Sequence, residues 1–164
     1  MASSPDQSHP TINLRVAQEA DASALFALRT AFWADQIAKG SLDNPDTDPA
    51  KLLADTANLI KRARTVIVIA TDHEKPVGYI HGQTKIIPGA SAVSSIEEIF
   101  VLPQYRRTTI ARKLVENALD SFRASGCQRF QLRILERNEA GKIFWQRIGF
   151  SAAVTIYEYT GSKD

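Results

Sequence analysis

The sequence predicts an α/β fold, a mixed central sheet flanked by helices. Three observations carry this: short β-branched segments alternate with a period of two, longer segments repeat apolar residues at helical spacing, and their order is β, α, α, β, β, β, α, β, α, β. The 164 residues, 44% hydrophobic and 23% charged, suit one core. Residues 1–10 are small, polar and proline-bearing, which predicts a flexible N-terminal tail, and 11–160 are expected to form a single domain.

Ile12, Leu14 and Val16 alternate with Asn13 and Arg15 and predict a first strand. Asp21 is placed to cap a helix whose apolar residues Leu25, Leu28 and Phe32 lead up to Gly40. Ser41–Pro49 holds two prolines and three aspartates and reads as an exposed loop. A second helix is expected over Ala50–Ala63, with Leu52, Leu53, Leu59 and Ile60 facing inward. Thr65–Ala70, a turn at Asp72–Pro76 and Val77–Ile86 predict a hairpin, in which His73 is a turn residue. A loop over Pro88–Ser95 precedes a strand Ile96–Leu102, which Pro103 ends by removing a backbone donor. Ile110, Leu114, Ala118 and Phe122 form the stripe of a long helix closed at Gly126. A strand Phe130–Leu135, a short helix with Ile143, Phe144 and Ile148 ended by Gly149, and a last strand Ala153–Tyr159 complete the chain.

The formal charge of +2 favours neither a nucleic-acid binder nor a membrane-surface protein, so any anion site is local. One cysteine, Cys127, excludes an intramolecular disulfide and a cysteine-based zinc site, and no metal-ligand spacing occurs. No apolar run approaches the roughly 20 residues of a spanning helix, and MASSPDQSHP lacks a signal peptide's apolar segment. The expectation is a soluble cytoplasmic protein without membrane or nucleic-acid partners; a homodimer is left open.

Ser95–Leu114 compresses a strand, a proline stop, a basic turn and a helix start into one stretch. Unpaired N–H groups at such a helix start, the helix dipole and the charges of Arg106, Arg107, Arg112 and Lys113 together suit a pyrophosphate. The same charges would suit a nucleic acid, but no aromatic residues are interleaved with them to stack on bases.

This stretch resembles the acyl-CoA binding core of the GNAT (GCN5-related) N-acetyltransferase superfamily, whose turn reads Q/R-x-x-G-x-G/A after a strand ending in a V-x-P-like sequence. Here the turn is Arg106-Arg107-Thr108-Thr109-Ile110-Ala111, with Arg106 and Ala111 matching and Thr109 at the first glycine position. A β-branched residue there either crowds the phosphates or, with a negative φ, is accommodated with its hydroxyl able to donate to one. Downstream, Asn138–Phe150 is similar to the family's N-x-x-A-x-x-F-Y-x-K-x-G-F segment through Asn138, Phe144, Gly149 and Phe150; Gly141 takes the small-residue place and Trp145 stands where tyrosine is usual.

The resemblance implies a GNAT-like acyl-CoA N-acyltransferase fold and acetyl-CoA as co-substrate, with the acetyl group passing by direct attack to an unidentified primary amine of a small molecule or protein. It implies a V-shaped opening between the strand ending at Pro103 and the strand after Phe130. There the backbone of Phe100, Val101 and Leu102 pairs with the pantetheine amides, the turn Arg106–Arg112 holds the pyrophosphate, Asn138 contacts the CoA arm, and Phe144 and Trp145 pack on it. A catalytically inactive acyl-CoA-binding or regulatory relative of the same fold is the alternative.

An alkylammonium, pKa about 10, must lose a proton before its nitrogen attacks a thioester. Similar enzymes often use an acid on this strand, and Glu97, then Glu98, are the candidate bases. Alternation puts Glu97 on the face of Ile99 and Val101 and Glu98 on that of Ile96 and Phe100. Trp145 has no accessible ionisation, so it cannot take the acid role of the family's tyrosine; Tyr157 or Tyr159 on the last strand are the substitutes, or the thiolate, with a reference pKa of about 8.5, needs no acid. His81, among apolar residues, reads as a hydrogen-bonded structural residue. Asp43, Asp46 and Asp48 form an acidic loop that a cationic acceptor would favour.

Overall fold

A computed structural model of the chain describes residues 10–40, 48–86, 88–89 and 91–157. The first nine positions of the expected tail, the loop positions Asp43 and Asp46, and Tyr159 lie outside them. The chain falls into two compact units, Met1–Arg133 and Ile134–Asp164.

The first unit is built on β1 (Ile12–Val16), α1 (Ala22–Ala38), α2 (Pro49–Lys61), β2 (Thr65–Asp72), β3 (Lys75–Lys85), β4 (Val93–Val101), α3 (Ile110–Ala124) and β5 (Arg129–Leu132). The five strands form one sheet in the order β1-β2-β3-β4-β5, antiparallel except for the parallel pair β4–β5. This is the expected mixed sheet. Leu25 and Leu28 of α1 and Leu59 of α2 cover one face, packing on Ile67, Ile69, Tyr79 and Phe100. The other face carries α3, which buries Ile110, Leu114, Val115, Ala118, Leu119 and Phe122, the stripe its periodicity predicts.

Local chemistry explains where elements begin and end. The β2–β3 hairpin turns at His73-Glu74, where His73 takes φ 52° and donates its N–H to Thr11 O at 3.2 Å. Gly126, φ 84°, follows the C-terminus of α3. Asp21 stands at the N-terminus of α1 without capping it. Its carboxylate accepts from Arg15 at 2.6 and 2.7 Å and from Gln18 N–H at 2.7 Å, and the Arg15 bond holds its pKa below the usual value. α1 therefore has no side-chain cap, whereas α2 has one in Asp48, which accepts from Ala50 N–H at 3.0 Å. Leu53, expected inside α2, is 37% exposed, and Thr56 is buried in its stead.

β4 starts at Val93, inside the stretch expected as a loop. Thr84 and Ser94 share a hydroxyl hydrogen bond of 2.8 Å across β3–β4, which lets the serines that signal a loop in the sequence sit in a buried ladder. β5 ends at Leu132, before the expected Leu135, because its partner registers stop at Ile96↔Leu132.

Gly82 explains how closely the layers approach. A Cβ at this position would lie 2.7 Å from Ser95 O and 2.8 Å from Phe122 Cζ, so β4 and α3 both close onto its bare Cα. Gly82→Ala is expected to cost about 1–3 kcal/mol through overpacking, read as a melting temperature lowered by several degrees in thermal denaturation followed by circular dichroism. An unchanged melting temperature would show that the two neighbours yield freely.

In the second unit, α4 (Glu139–Ile148) is capped by the Asn138 side chain, which accepts from Gly141 N–H at 3.0 Å, and closed by Gly149 at φ 110°. The expected last strand, Ala153–Tyr159, is corrected by the structure: residues 151–157 carry no strand pairing, and Val154, Ile156 and Tyr157 are exposed. Alternation supplies a face to bury, but a strand also needs a partner edge, and none among the described residues pairs with these.

Candidate active site

The site is organised by a break in the β4 ladder. β3 residue His81 pairs with Glu98 and Gly82 with Ile96, so Glu97 is an extra residue, a β-bulge. β5 follows β4 only from Val93 to Ile96, so beyond the bulge the outer edge of β4 has no neighbouring strand among the described residues. Leu102 N–H donates to Val77 O at 2.9 Å. Alternation therefore turns the N–H and C=O of Val101, and of Ile99, to the open edge, while those of Phe100 and Leu102 face β3. Of the three residues expected to offer backbone to a ligand, Val101 does so.

The bulge also corrects the expected division of the two glutamates between faces. Gly82 faces α3, and its partner Ile96 lies on the same side; Ile99, opposite Ile80, joins them. Glu98 shares the other face with Phe100. Gln83 belongs to that face, and its Nε2 donates to Glu97 Oε1 at 3.4 Å, which brings the Glu97 carboxylate to the side of Glu98. One extra residue cancels the period of two, so both carboxylates stand on the α1 side.

Their environments differ. Glu97 is exposed, with the long Gln83 contact as its hydrogen bond. Glu98 is enclosed: Arg29 of α1 donates from Nε at 3.0 Å and from Nη2 at 2.9 Å, and Tyr79 donates its hydroxyl at 2.8 Å. Arg29 also donates to Thr56 Oγ1 at 3.0 Å and stacks 4.7 Å from the Trp33 ring centroid. Burial opposes the Arg29 charge, but the bond to Glu98 and its field more than offset this, and the guanidinium pKa is raised. Burial, followed by the Glu98 charge, pushes the Tyr79 phenol well above its usual 10.0. Glu98 thus accepts three hydrogen bonds in a filled network, and Glu97 is the one open to a ligand.

The basic turn has a definite form. Arg107 takes φ 61°, and Thr109 stands at the N-cap of α3 with φ −80°. The left-handed conformation lies two residues before the family's glycine position, so Thr109 is accommodated without strain. Thr108 Oγ1 donates to Tyr105 O at 2.8 Å and accepts from Ile110 N–H at 3.4 Å. Ile110 is buried and anchors the helix, and Ala111 follows it in the first turn, whose amides no helix satisfies from within. Arg107, Arg112 and Lys113 are exposed here, with Arg112 3.6 Å from Glu116. Arg106 turns away from this group: Nε donates to Val101 O at 2.9 Å, Nη2 to Asp35 Oδ1 at 3.2 Å, and its guanidinium lies 5.4 Å from the Phe100 ring centroid.

In the second unit Asn138 spends its side-chain oxygen on Gly141, and Trp145 packs edge-on between Phe144 at 5.1 Å and Phe150 at 5.2 Å. Tyr157 is 92% exposed. His81 is buried, yet neither ring nitrogen has a hydrogen-bond partner, contrary to the expectation of a hydrogen-bonded imidazole. Among the described residues no group of three or more His, Cys, Asp or Glu is placed to hold a metal ion, and no helix is long and apolar enough to cross a membrane.

Sequence reasoning missed Arg29, Tyr79 and Gln83. Arg29 carried a signal: it sits one residue after Leu28 and three before Phe32, a charge on the inward stripe of α1. Gln83 and Tyr79 carried none, because their importance comes from the bulge opposite.

Comparison with known proteins agrees with this architecture. N-alpha-acetyltransferase 30 of Schizosaccharomyces pombe is 28% identical over 91 residues, 56% of this chain and 61% of that protein, so the chain matches under two thirds of that relative. Glucosamine 6-phosphate N-acetyltransferase of Trypanosoma brucei brucei is 28% identical over 147 residues, 86% of this chain and 90% of that protein. The structure of aminoglycoside N-acetyltransferase AAC(6')-Iy in complex with CoA shares the fold, with a TM-score of 0.78 at 19% identity over 94% of this chain and 97% of that one. Residues 25–150 match the profile of the Acetyltransferase (GNAT) family, and the chain belongs to that family.

Proposed function

We infer that this chain is an acetyl-CoA-dependent N-acetyltransferase that acetylates a primary amine by direct attack, with Glu97 as the base. The observation that carries the reading is the open outer edge of β4 beyond the bulge, where Val101 and Ile99 turn backbone groups outward next to an exposed carboxylate. A pantetheine arm laid along that edge would pair as a further strand, with Val101 O released from Arg106 Nε or shared with it. The first-turn amides of α3, with Arg107 and Lys113, would face the pyrophosphate. Arg106 would then fix the edge by tying Val101 and Phe100 to Asp35 of α1, rather than grip phosphate itself.

An acceptor entering from the α1 side meets Glu97 first. The carboxylate takes the ammonium proton, the freed lone pair attacks the thioester carbonyl carbon, and the C–S bond breaks with its electron pair on sulfur. A thiol of pKa about 8.5 is a competent leaving group without a dedicated acid, so Trp145 in place of tyrosine is compatible with turnover. The names of the relatives, an N-alpha-acetyltransferase and a glucosamine 6-phosphate N-acetyltransferase, suggest α-amines and amino sugars as the classes to try.

The test combines binding and turnover. Acetyl-CoA is expected to raise the melting temperature, since a ligand at 100 times its Kd adds about 2.7 kcal/mol to the native state. Release of the CoA thiol is expected with at least one member of a panel of amino sugars, aminoglycosides, polyamines and peptide N-termini. Absence of any thermal shift or heat at millimolar acetyl-CoA would overturn the reading; binding without thiol release from any amine would favour an inactive acyl-CoA-binding protein.

A further inference from the structure

We propose that His81 is a positioning residue for proton transfer, the second proton acceptor standing behind Glu97; this rests on the acetyltransferase reading above. The imidazole is 7% exposed and both ring nitrogens are buried without a hydrogen-bond partner. An unmet buried polar group costs about 1–3 kcal/mol, and an apolar side chain at this place in the sheet would avoid that cost. Such an orphan calls for a role in which its free lone pair is used.

Its surroundings name that role. A bulge sets two residues against one, so Glu97 and Glu98 both stand across the ladder from His81. Gln83, two residues along β3 on the His81 face, holds Glu97 on that side. Around the ring the charged groups are Glu97 and Glu98 of β4, Arg29 from α1 and Arg62 at the end of α2, while β2 presents Ile67 in register. Glu98 is already filled by Arg29 and Tyr79. Glu97 is the neighbour with a proton to give. Burial, against the pull of Glu98, lowers the His81 pKa from 6.5, so the ring is neutral at neutral pH and has one nitrogen free to accept.

The proton count fits. An ammonium that becomes an amide gives up two protons, one before the C–N bond forms and one as the C–S bond breaks. The thiolate takes the second. Glu97 takes the first, leaves its long contact with Gln83 to reach the ring, and as the carboxylic acid passes the proton to the unprotonated nitrogen of His81, which restores the carboxylate for the next acceptor. Because its nitrogens are buried, the imidazolium returns the proton to solvent through the exposed Glu97 between turnovers.

Two measurements test this. In the folded protein the ring titration of His81 is followed by nuclear magnetic resonance, its signal assigned as the one missing from His81→Gln. Replacing Glu97 with Gln removes a negative neighbour and is expected to move the midpoint to lower pH; an unchanged midpoint means the two groups are not coupled and overturns the proposal, whatever the activity. In turnover, His81→Gln is expected to lower kcat about tenfold at neutral pH, a fraction of what a direct proton acceptor contributes. The KM for acetyl-CoA should stay unchanged, and the acid limb of the kcat profile set by the imidazole should disappear. A loss equal at every pH and accompanied by a lower melting temperature would make His81 a packing residue. Wild-type protein inert toward every amine would sink the acetyltransferase reading, and the proposal with it, even with the titration coupling intact.

Discussion

Glu97→Gln is expected to lower kcat by about a hundredfold or more while leaving the KM for acetyl-CoA and the melting temperature essentially unchanged. The size follows from the role: a positioned base contributes about 10²–10⁴ in rate. The unchanged stability follows from the environment, since Glu97 is exposed and its contact with Gln83 is 3.4 Å long; such surface replacements usually fall within about 0.5 kcal/mol. The pH dependence separates a base from a mere binding charge. As pH approaches the acceptor's own pKa of about 10, a growing share of the amine arrives already neutral and needs no base, so the deficit of the variant should shrink steadily above pH 8. A constant deficit across that range would mean that Glu97 attracts the acceptor rather than deprotonating it. Loss of rate in Glu98→Gln with intact folding, and none in Glu97→Gln, would transfer the role to Glu98.

Much of this site is legible in the sequence, because it depends on local chemistry. Pro103 marks the end of β4 within two residues, Ile110 to Phe122 give the buried stripe of α3, and the turn between them carries the motif. The two glutamates are named by the resemblance, as acids on the strand where similar enzymes often carry one. What alternation could not give was their faces, since a period of two holds only while the ladder is regular, and the bulge at Glu97 is a property of two strands together. The same limit hid which backbone groups are free. Phe100, Val101 and Leu102 are equivalent in sequence, and only the bond from Leu102 N–H to Val77 O shows that Val101 faces outward.

The arginine turn was legible as charge but not as direction. Arg106 and Arg107 are neighbours in sequence with one formal charge each, yet the φ of 61° at Arg107 and the carbonyl of Val101 send their side chains to different tasks. Thr109 reads as a departure from the family pattern, and its φ of −80° shows why a threonine is tolerated there. Asp21 misled for a related reason: an aspartate before an apolar helix suits capping, but Arg15 offers a charge-assisted pair that a backbone amide cannot match. The sequence pattern 151–157 predicts a strand, and the structure shows that alternation is necessary and not sufficient.

The largest effect on stability is expected at the Arg29–Glu98 pair. Both side chains are largely enclosed, 12% and 13% exposed, and their two hydrogen bonds join α1 to the bulged segment of β4. Exposed pairs contribute about 1 kcal/mol or less, but removing one partner of a buried pair leaves an uncompensated charge and costs about 3–5 kcal/mol. Glu98→Leu should fall in that range, because Arg29 would keep only Thr56 and the Trp33 ring, and Tyr79 would lose its acceptor. Arg29→Met should cost less, since Tyr79 still donates to the carboxylate left behind. The double variant Arg29→Met/Glu98→Leu removes both charges together, so it should be markedly more stable than the sum of the single losses, an apolar pair of similar volume being close to neutral. Urea denaturation of the four proteins gives the coupling directly. Single losses below about 1 kcal/mol with no coupling would show that solvent already reaches the pair, and that α1 is held on the sheet by Leu25, Leu28 and Phe32 alone.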